Sequence, residues 1–181
     1  NADRGDLASQ ILSDTGVRGG LIVHLGCGDG KLTADLGAGE SFLVHGLDAD
    51  ATNVRQAREH VRSQGRCGRV SIEQWTGKGL PYTDNLVKLM VVSGGKAPVS
   101  DKEIGRALCP GGVAVKLDPE TGDPKPETIF RKPWPENIDE WTHFLYDASG
   151  NAVSNDSVVG PPRHMQWVAG PRTARGHEAL G

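Results

Sequence analysis

Short apolar runs alternate regularly along this chain with segments of helical apolar spacing. The runs that predict strands are residues 21–25, 42–47, 70–75, 86–92 and 113–117. The segments that predict helices are residues 7–14, 31–36, 51–62 and 100–108. Parallel strands need crossover connections, and helices supply them, so this series indicates a sheet with helices on both faces.

The series therefore predicts an α/β fold, a Rossmann-like three-layer αβα sandwich with a mostly parallel sheet. With 181 residues the chain has room for one such domain and a tail. The periodicity stops in a run rich in Pro, Gly and Asp between residues 118 and 126. We expect a domain over residues 1–120 and an extended tail over residues 121–181.

Charge and composition indicate which classes of function to set aside. The formal net charge is -3 with both signs interspersed, so neither a nucleic-acid-binding face nor an acidic tail is indicated. No apolar run approaches the roughly 20 residues that a bilayer requires, so no membrane span is predicted. The three cysteines lack CxxC spacing, and His143 and His164 are scattered beside tryptophans, so the sequence predicts no metal site.

A cluster of glycines follows the first predicted strand, at Gly26, Gly28 and Gly30. Glycine allows a ligand to approach the backbone of a strand-to-helix loop, where N–H groups are unpaired. In a dinucleotide site of the GxGxxG form the third glycine would be residue 31, which is Lys31. The spacing therefore disfavours NAD. A tight turn without a ligand is the alternative interpretation.

An acidic residue stands at the end of the second predicted strand. A carboxylate in this place can accept two hydrogen bonds from ribose hydroxyls, and Asp48 occupies it. Asp48 could instead cap the next helix. Asp50 is better placed to do so, because it directly precedes the helix predicted from Ala51. We therefore expect Asp48 to be free for a ligand.

Four segments together resemble class I S-adenosylmethionine-dependent methyltransferases: residues 23–30, 46–48, 79–85 and the 108–112 run of the form L-x-P-G-G. The resemblance covers about residues 7–117 and implies S-adenosylmethionine as the cofactor. In that family the glycine loop borders the methionine part, the acid after strand two binds ribose, and an Asp after strand three binds the adenine amino group. The cofactor-binding residues that it implies here are Gly26, Cys27, Gly28, Gly30, Asp48, Ala49, Thr76, Gly77 and Ser93.

This chain departs from the family pattern where the family carries acids. His24 replaces an Asp or Glu, Thr76 replaces the adenine-binding Asp, and Lys88 replaces the Asp that opens strand four. Residues 93–96 replace the (D/N)PP(Y/F) signature of amino methyltransferases and offer no obvious catalytic group. We therefore assign no catalytic residue and expect weak cofactor binding.

The tail, over residues 132–167, resembles a linker of exported bacterial proteins in which a pyrroloquinoline-quinone-type β-propeller follows a methyltransferase-like domain. The resemblance implies a propeller domain or neighbouring chain as the partner, and an exported, periplasmic location. Trp134, Trp141 and Trp167 are then expected to anchor the tail on that neighbour. A removed signal peptide is compatible with the start at Asn1, whereas a stand-alone methyltransferase would be cytoplasmic.

Three functions are compatible with the sequence. The first is a methyltransferase, in which positioning of the activated methyl group supplies most of the rate and no catalytic dyad is needed. The second is a non-catalytic docking or structural module of an exported propeller protein, favoured by the lost acids. An NAD-dependent oxidoreductase is a third interpretation, which Lys31 weakens.

Overall fold

The computed structural model describes residues 4–77, 79–93, 99–118, 130–140, 142–144, 146–151 and 153–158, with side chains from Leu7 onward. The chain divides into two compact units, Asn1–Trp134 and Pro135–Gly181. The first unit contains the predicted sheet. Among the described residues, no helix has the length and apolar character needed to cross a bilayer.

The first unit is built on a six-stranded sheet, which confirms the predicted α/β class. Its strands lie in the spatial order β3-β2-β1-β4-β5-β6. The first five strands pair in parallel, and β6 pairs antiparallel with β5. The strands are β1 Gly20–Leu25, β2 Phe42–Asp48, β3 Val70–Gln74, β4 Val87–Val92, β5 Leu108–Lys116 and β6 Phe130–Arg131.

Helices cover both faces of this sheet, as the alternating sequence predicts. They are α1 Arg4–Thr15, α2 Lys31–Leu36, α3 Ala51–Ser63 and α4 Asp101–Ala107. Asp50 caps α3, because its side chain accepts a hydrogen bond from the Thr52 amide at 2.6 Å. Ser100 caps α4 in the same way, through the Glu103 amide at 3.3 Å. The cap by Asp50 was expected from the sequence.

Two apolar clusters, one on each face, hold the helices to the sheet. The larger cluster packs α1, α2 and α3 on one face through Ile11, Leu36, Val54, Ile22, Val44 and Leu89, among others. The smaller cluster packs α4 on the other face through Ile104, Ala107, Val23, Met90 and Leu108, among others. Each fully buried Leu or Met side chain contributes roughly 1.5–3 kcal/mol relative to exposure to water, so these clusters fix the strand ends in space.

Strand β5 begins earlier than the sequence predicts. It starts at Leu108, which pairs with Val87, rather than at Val113. The L-x-P-G-G run therefore lies inside the irregular first half of the strand and is not a turn before it. A side chain at Gly112 would place its Cβ 2.9 Å from the Val87 carbonyl oxygen, so glycine is what allows this close approach.

Strand β6 was not predicted, because two residues carry no periodic signal. It is fixed by two backbone hydrogen bonds of 2.9 Å, from the Gly111 amide to the Lys132 carbonyl and from the Lys132 amide to the Gly112 carbonyl. The Arg131 guanidinium also donates to the Thr15 carbonyl, at the end of α1, over 2.8 Å. The first unit consequently extends to Trp134, whose side chain is half-exposed.

The described part of the second unit contains turns but no helix or strand. Its hydrogen bonds converge on Asp139, whose carboxylate accepts from the Tyr146 hydroxyl and from the Asn155 amide. Tyr146 is buried, whereas Phe144 is 97% exposed. Of the residues that carried the predictions for the tail, Trp141, His164 and Trp167 lie outside the described residues.

Candidate functional site

The residues implied as cofactor-binding all follow the carboxyl ends of parallel strands. The glycine loop follows β1, Asp48 ends β2, and Thr76 lies just beyond β3. Ser93 directly follows β4. The order in which strands are added to the sheet reverses at β1, because β2 and β3 lie on one side of it and β4 lies on the other. Ligands of open α/β sheets bind at such a switch point, so the fold brings the predicted residues to the expected edge.

The three glycines of the loop have different surroundings. All have left-handed backbone angles, with φ of 73° at Gly26, 52° at Gly28 and 77° at Gly30. A Cβ at Gly26 would lie 2.4 Å from the Ser93 carbonyl oxygen, and one at Gly30 would lie 2.6 Å from the Ala57 Cβ. A Cβ at Gly28 would meet no protein atom within 4 Å. Gly26 and Gly30 are therefore required by packing, and Gly28 borders open space.

Asp48 lies against this loop, but it is not free as the sequence suggested. It is only 8% exposed. One carboxylate oxygen accepts from the Gly28 amide at 2.8 Å, and the other accepts from the Asp50 amide at 2.9 Å. The Asn53 side-chain amide donates to that second oxygen at 3.2 Å. These three donors were not predicted, because a hydrogen bond from an amide to a carboxylate leaves no pattern in the sequence.

Cys27 lies between Gly26 and Gly28 but is turned into the core. The residue is buried, and its amide donates to the Leu47 carbonyl at 3.2 Å. Burial raises the pKa of the Cys27 thiol to about 12, with a smaller contribution from the Asp48 carboxylate. The thiol is therefore protonated at neutral pH and serves as a small packing group.

His24 connects three elements beneath the glycine loop. Its Nδ1 lies 2.7 Å from the Thr33 hydroxyl on α2, and its Nε2 lies 2.7 Å from the Ser93 hydroxyl after β4. The ring is 2% exposed. Burial lowers the pKa of His24 to about 4, against the opposing effects of Asp48 and Asp29. A neutral ring, one nitrogen donating and the other accepting, therefore stands where the related family carries an acid.

The end of β3 is tied to the end of β2. The Trp75 amide donates to the Asp48 carbonyl at 2.8 Å, and the Gln74 side chain donates to the Ala49 carbonyl at 3.0 Å. Thr76 follows directly and is exposed, as is Ala49. Gly77 has a φ of 89° and is half-buried. These bonds bring Thr76 and Gly77 to the same edge as Asp48.

Lys88 is remote from this edge, which corrects the expectation that its charge weakens the site. It is the second residue of β4, four residues before Val92. At about 3.3 Å per residue its backbone lies roughly 13 Å from the carboxyl end of the strand. Its Nζ atom lies near Gly111, 3.8 Å from where a Cβ of that residue would be. Of the three replaced acids, only those at His24 and Thr76 border the site.

A clamp of hydrogen bonds centred on Arg106 holds the segment before β4, and the sequence did not predict it. The Arg106 guanidinium donates to both Glu103 carboxylate oxygens, to Asp84 and to the Tyr82 carbonyl, at 2.6–2.9 Å. Glu103 in turn accepts from the Leu80 amide at 2.9 Å. Hydrogen bonding to Arg106 lowers the pKa of Glu103 to about 2. The only signal in the sequence was the three-residue spacing of Glu103 and Arg106 on a predicted helix.

A second unpredicted cluster lies on the face of β2 that points toward α4. The Tyr82 hydroxyl lies 2.8 Å from His45 Nδ1, and Glu73 lies 3.4 Å from His45 Nε2. Burial lowers the pKa of His45, although the nearby Glu73 opposes this shift. Burial also raises the pKa of Tyr82. A phenol with a raised pKa stays protonated at neutral pH, so the Tyr82 hydroxyl keeps its hydrogen bond with His45 and links the 79–85 segment to β2.

The described residues contain no group of three or more His, Cys, Asp or Glu side chains arranged to hold a metal ion. What this edge can do is receive a ligand. Gly28 leaves room for its close approach, the Asp48 carboxylate accepts hydrogen bonds, and the exposed Thr76 and the half-buried Ser93 flank it. Such a set suits a neutral polar molecule like a nucleoside.

Comparison with known proteins identifies the family of this chain. Residues 22–112 match the profile of the family described as "Methyltransferase domain". The chain is 29% identical over 156 residues to the ubiquinone/menaquinone biosynthesis C-methyltransferase UbiE of Pseudoalteromonas translucida, an alignment covering 82% of this chain. It spans about three fifths of that relative, since 59% of the relative is covered.

Two solved structures share the fold. One is a candidate S-adenosyl-L-methionine-dependent methyltransferase of Methanococcus maripaludis, with a TM-score of 0.58 and 24% identity over 63% of this chain and 54% of that chain. The other is the geranyl diphosphate C-methyltransferase of Streptomyces coelicolor A3(2), with a TM-score of 0.55 and 20% identity over 65% of this chain and 48% of that chain. The latter was solved with Mg2+, geranyl diphosphate and S-adenosyl-L-homocysteine. At these identities the likeness supports the fold.

Proposed function

Because this chain belongs to the methyltransferase domain family, we propose that its first unit binds S-adenosylmethionine at the carboxyl edge of β1 to β4. The observation that carries this proposal is the hydrogen bond of 2.8 Å between the Gly28 amide and the Asp48 carboxylate. It joins the loop that a ligand can approach to the acid that can receive a ribose. The open space at Gly28 is the room that a bound nucleoside requires.

Each residue at this edge then has a part in holding the cofactor. Asp48 accepts hydrogen bonds from the ribose hydroxyls, and Ala49 borders the same sugar. Thr76 and Gly77 line the adenine side, where Thr76 offers one hydroxyl in place of a carboxylate. Gly26, Cys27, Gly28 and Gly30 form the loop beside the methionine part, with Ser93 opposite them across the switch point. The cofactor supplies an activated methyl group, and the protein positions it.

We further propose that binding is weak. The family acid at residue 24 is replaced by a neutral His24 whose two ring nitrogens are already engaged by Thr33 and Ser93. Thr76 cannot present the two carboxylate oxygens that would accept from an adenine amino group. The protein therefore lacks two acidic groups that would contact the cofactor. Because little cofactor is bound at ordinary concentrations, any methyl transfer would be slow.

Calorimetric titration with S-adenosylhomocysteine tests the site without knowledge of the methyl acceptor. The unmodified protein should bind, and Asp48→Ala should bind on the order of 10- to 100-fold more weakly. This factor corresponds to the loss of hydrogen bonds to a charged group, roughly 1.5–3 kcal/mol. Equal affinity of the two proteins would show that Asp48 does not contact the ligand. The absence of binding by the unmodified protein would contradict the cofactor proposal itself.

The second candidate is a docking module. The described part of the second unit exposes three apolar side chains, Phe144 at 97%, Val153 at 68% and Val158 at 60%. Together with the linker-like sequence of residues 132–167, this favours attachment to a pyrroloquinoline-quinone-type β-propeller in an exported protein, with a domain over residues 1–120 and a lead-in over 121–181. Failure to bind S-adenosylhomocysteine, with the fold intact by circular dichroism, would favour this candidate over the first.

A further inference from the structure

The Asp48 carboxylate is nearly filled by donors of its own chain. A carboxylate offers about four acceptor positions, two on each oxygen. Three N–H groups among the described residues occupy it. The Gly28 amide bonds Oδ2, whereas the Asp50 amide and the Asn53 side chain both bond Oδ1. One position therefore remains on Oδ2 and none on Oδ1.

The three donors differ in how easily they can leave. The Gly28 and Asp50 donors are backbone amides, fixed by the glycine loop and by the cap of α3. The Asn53 donor is a side chain, it is half-buried, and its bond of 3.2 Å is the longest of the three. Because a carboxylate only accepts, the Asn53 amide must turn its NH2 group toward Asp48. Rotation about the Asn53 side chain would release this bond to water.

We propose that Asn53 is a specificity-determining residue that competes with the ribose for Asp48. This inference rests on the proposed cofactor site. A ribose brings two neighbouring hydroxyls. The first can bond the open position of Oδ2, but the second needs Oδ1, which is available only when the Asn53 amide leaves. The loss of one protein hydrogen bond accompanies each binding event, and this lowers the affinity for ligands that carry both hydroxyls.

The test uses Asn53→Ala, titrated calorimetrically with S-adenosylhomocysteine and with its 2′-deoxy analogue. Removal of the competing amide should strengthen binding of S-adenosylhomocysteine by about 3- to 10-fold. The 2′-deoxy analogue, with a single hydroxyl for Oδ2, should gain less than about twofold. Alanine has the higher helix propensity, so the third residue of α3 should remain helical. Thr52→Ala, one position earlier on the exposed side of α3, is the matched control and should leave both affinities unchanged.

The change in affinity for the two ligands distinguishes competition by Asn53 from other roles of this residue. A gain confined to the ligand with two hydroxyls supports the competition. Equal gains for both ligands, or unchanged or weaker binding by Asn53→Ala, would overturn it, while binding by the unmodified protein would keep the cofactor site. A lower melting temperature together with weaker binding would assign Asn53 the role of holding Asp48 in place. If no variant binds either ligand, the cofactor proposal fails first and this inference fails with it.

Discussion

The ring of His24 places its Nε2 atom 2.7 Å from the Ser93 hydroxyl, and this contact ties the end of β1 to the residue that follows β4. These two strands flank the switch point at which the proposed cofactor site lies. The contact at the other ring nitrogen, to Thr33, adds α2 to the same network. A buried, neutral imidazole thus fixes the geometry of the edge from below.

Replacement of His24 should destabilise the fold. His24→Ala removes a fully packed ring and leaves the Thr33 and Ser93 hydroxyls without this partner, so we expect a loss of about 2–4 kcal/mol in the free energy of unfolding. Urea denaturation measures this loss. His60→Ala, at a half-buried position on α3, is the control and should change stability by less than about 1 kcal/mol. Similar losses for both variants would deny His24 its role as a connector.

The free energy of unfolding should decrease as the pH is lowered through the range in which His24 titrates. Burial lowers the pKa of His24 from 6.5 to about 4. Below pH 6.5 the unfolded chain therefore binds a proton at His24, whereas the folded protein binds it only near pH 4. The folded state therefore loses stability as the pH falls from 6.5 toward 4, by on the order of 3 kcal/mol in total. In His24→Asn this part of the pH profile should be flatter. Glu103 affects stability at lower pH. Its pKa is lowered to about 2, so the stability that its ionised form contributes is lost as the pH falls from 4.5 to about 2. A variant profile parallel to the original above pH 4.5 would contradict the assignment.

The glycine loop offers a matched pair of substitutions. Gly28→Val places its Cβ in open space, so the protein should fold at the cost of a left-handed residue, roughly 1–2 kcal/mol, and should lose S-adenosylhomocysteine binding. Gly26→Ala would force its Cβ to 2.4 Å from the Ser93 carbonyl oxygen and should impair folding itself. Thermal melting and calorimetry separate the two effects. Retained binding in folded Gly28→Val would count against the loop as part of the site.

A carboxylate at residue 76 should partly restore the site. If Thr76 lies beside the adenine, Thr76→Asp adds an acceptor for the amino group and should strengthen S-adenosylhomocysteine binding by about 1–2 kcal/mol, the scale of one hydrogen bond to a charged group. The comparison ligand is S-inosylhomocysteine, in which a carbonyl replaces the amino group and which should not gain. Submicromolar binding by the unmodified protein would show that the replaced acids do not matter.

The tail gives a prediction that separates the two candidate functions. If residues beyond Pro133 are ordered by a neighbouring domain or chain, limited proteolysis of the 181-residue chain alone should cut first between Leu117 and Gly181. Within residues 135–158, the turns around Asp139 and Tyr146 should be cut most slowly. A tail as resistant as the sheet would indicate that it packs against its own chain and needs no partner.

The sequence was sufficient for the elements whose apolar spacing is long and regular. The first four strands and all four helices lie within one to three residues of their predicted bounds, because burial on one or both faces imposes the pattern directly. Strand β6 and the start of β5 were missed. Both depend on backbone pairing around Gly111 and Gly112, which leaves no periodic trace.

The candidate site shows the same division. Its location followed from the glycines and Asp48, since strand ends meet at one edge of a parallel sheet. What could not be predicted were contacts between distant residues: the bonds of His24 to Thr33 and Ser93, and the clamp of Arg106 on the 79–85 segment. The position of Lys88 at the far end of β4 likewise required the strand register.

The hydrogen bond from Arg131 to the Thr15 carbonyl joins residues 116 positions apart and completes the end of α1. During synthesis the ribosome must therefore add the whole sheet before the first helix receives this partner. At roughly 5 to 20 residues per second, the nascent amino-terminal segment waits on the order of 6 to 23 seconds for it. Until then the Thr15 carbonyl lacks this donor, although the apolar side of α1 can already pack on the strands made before residue 130.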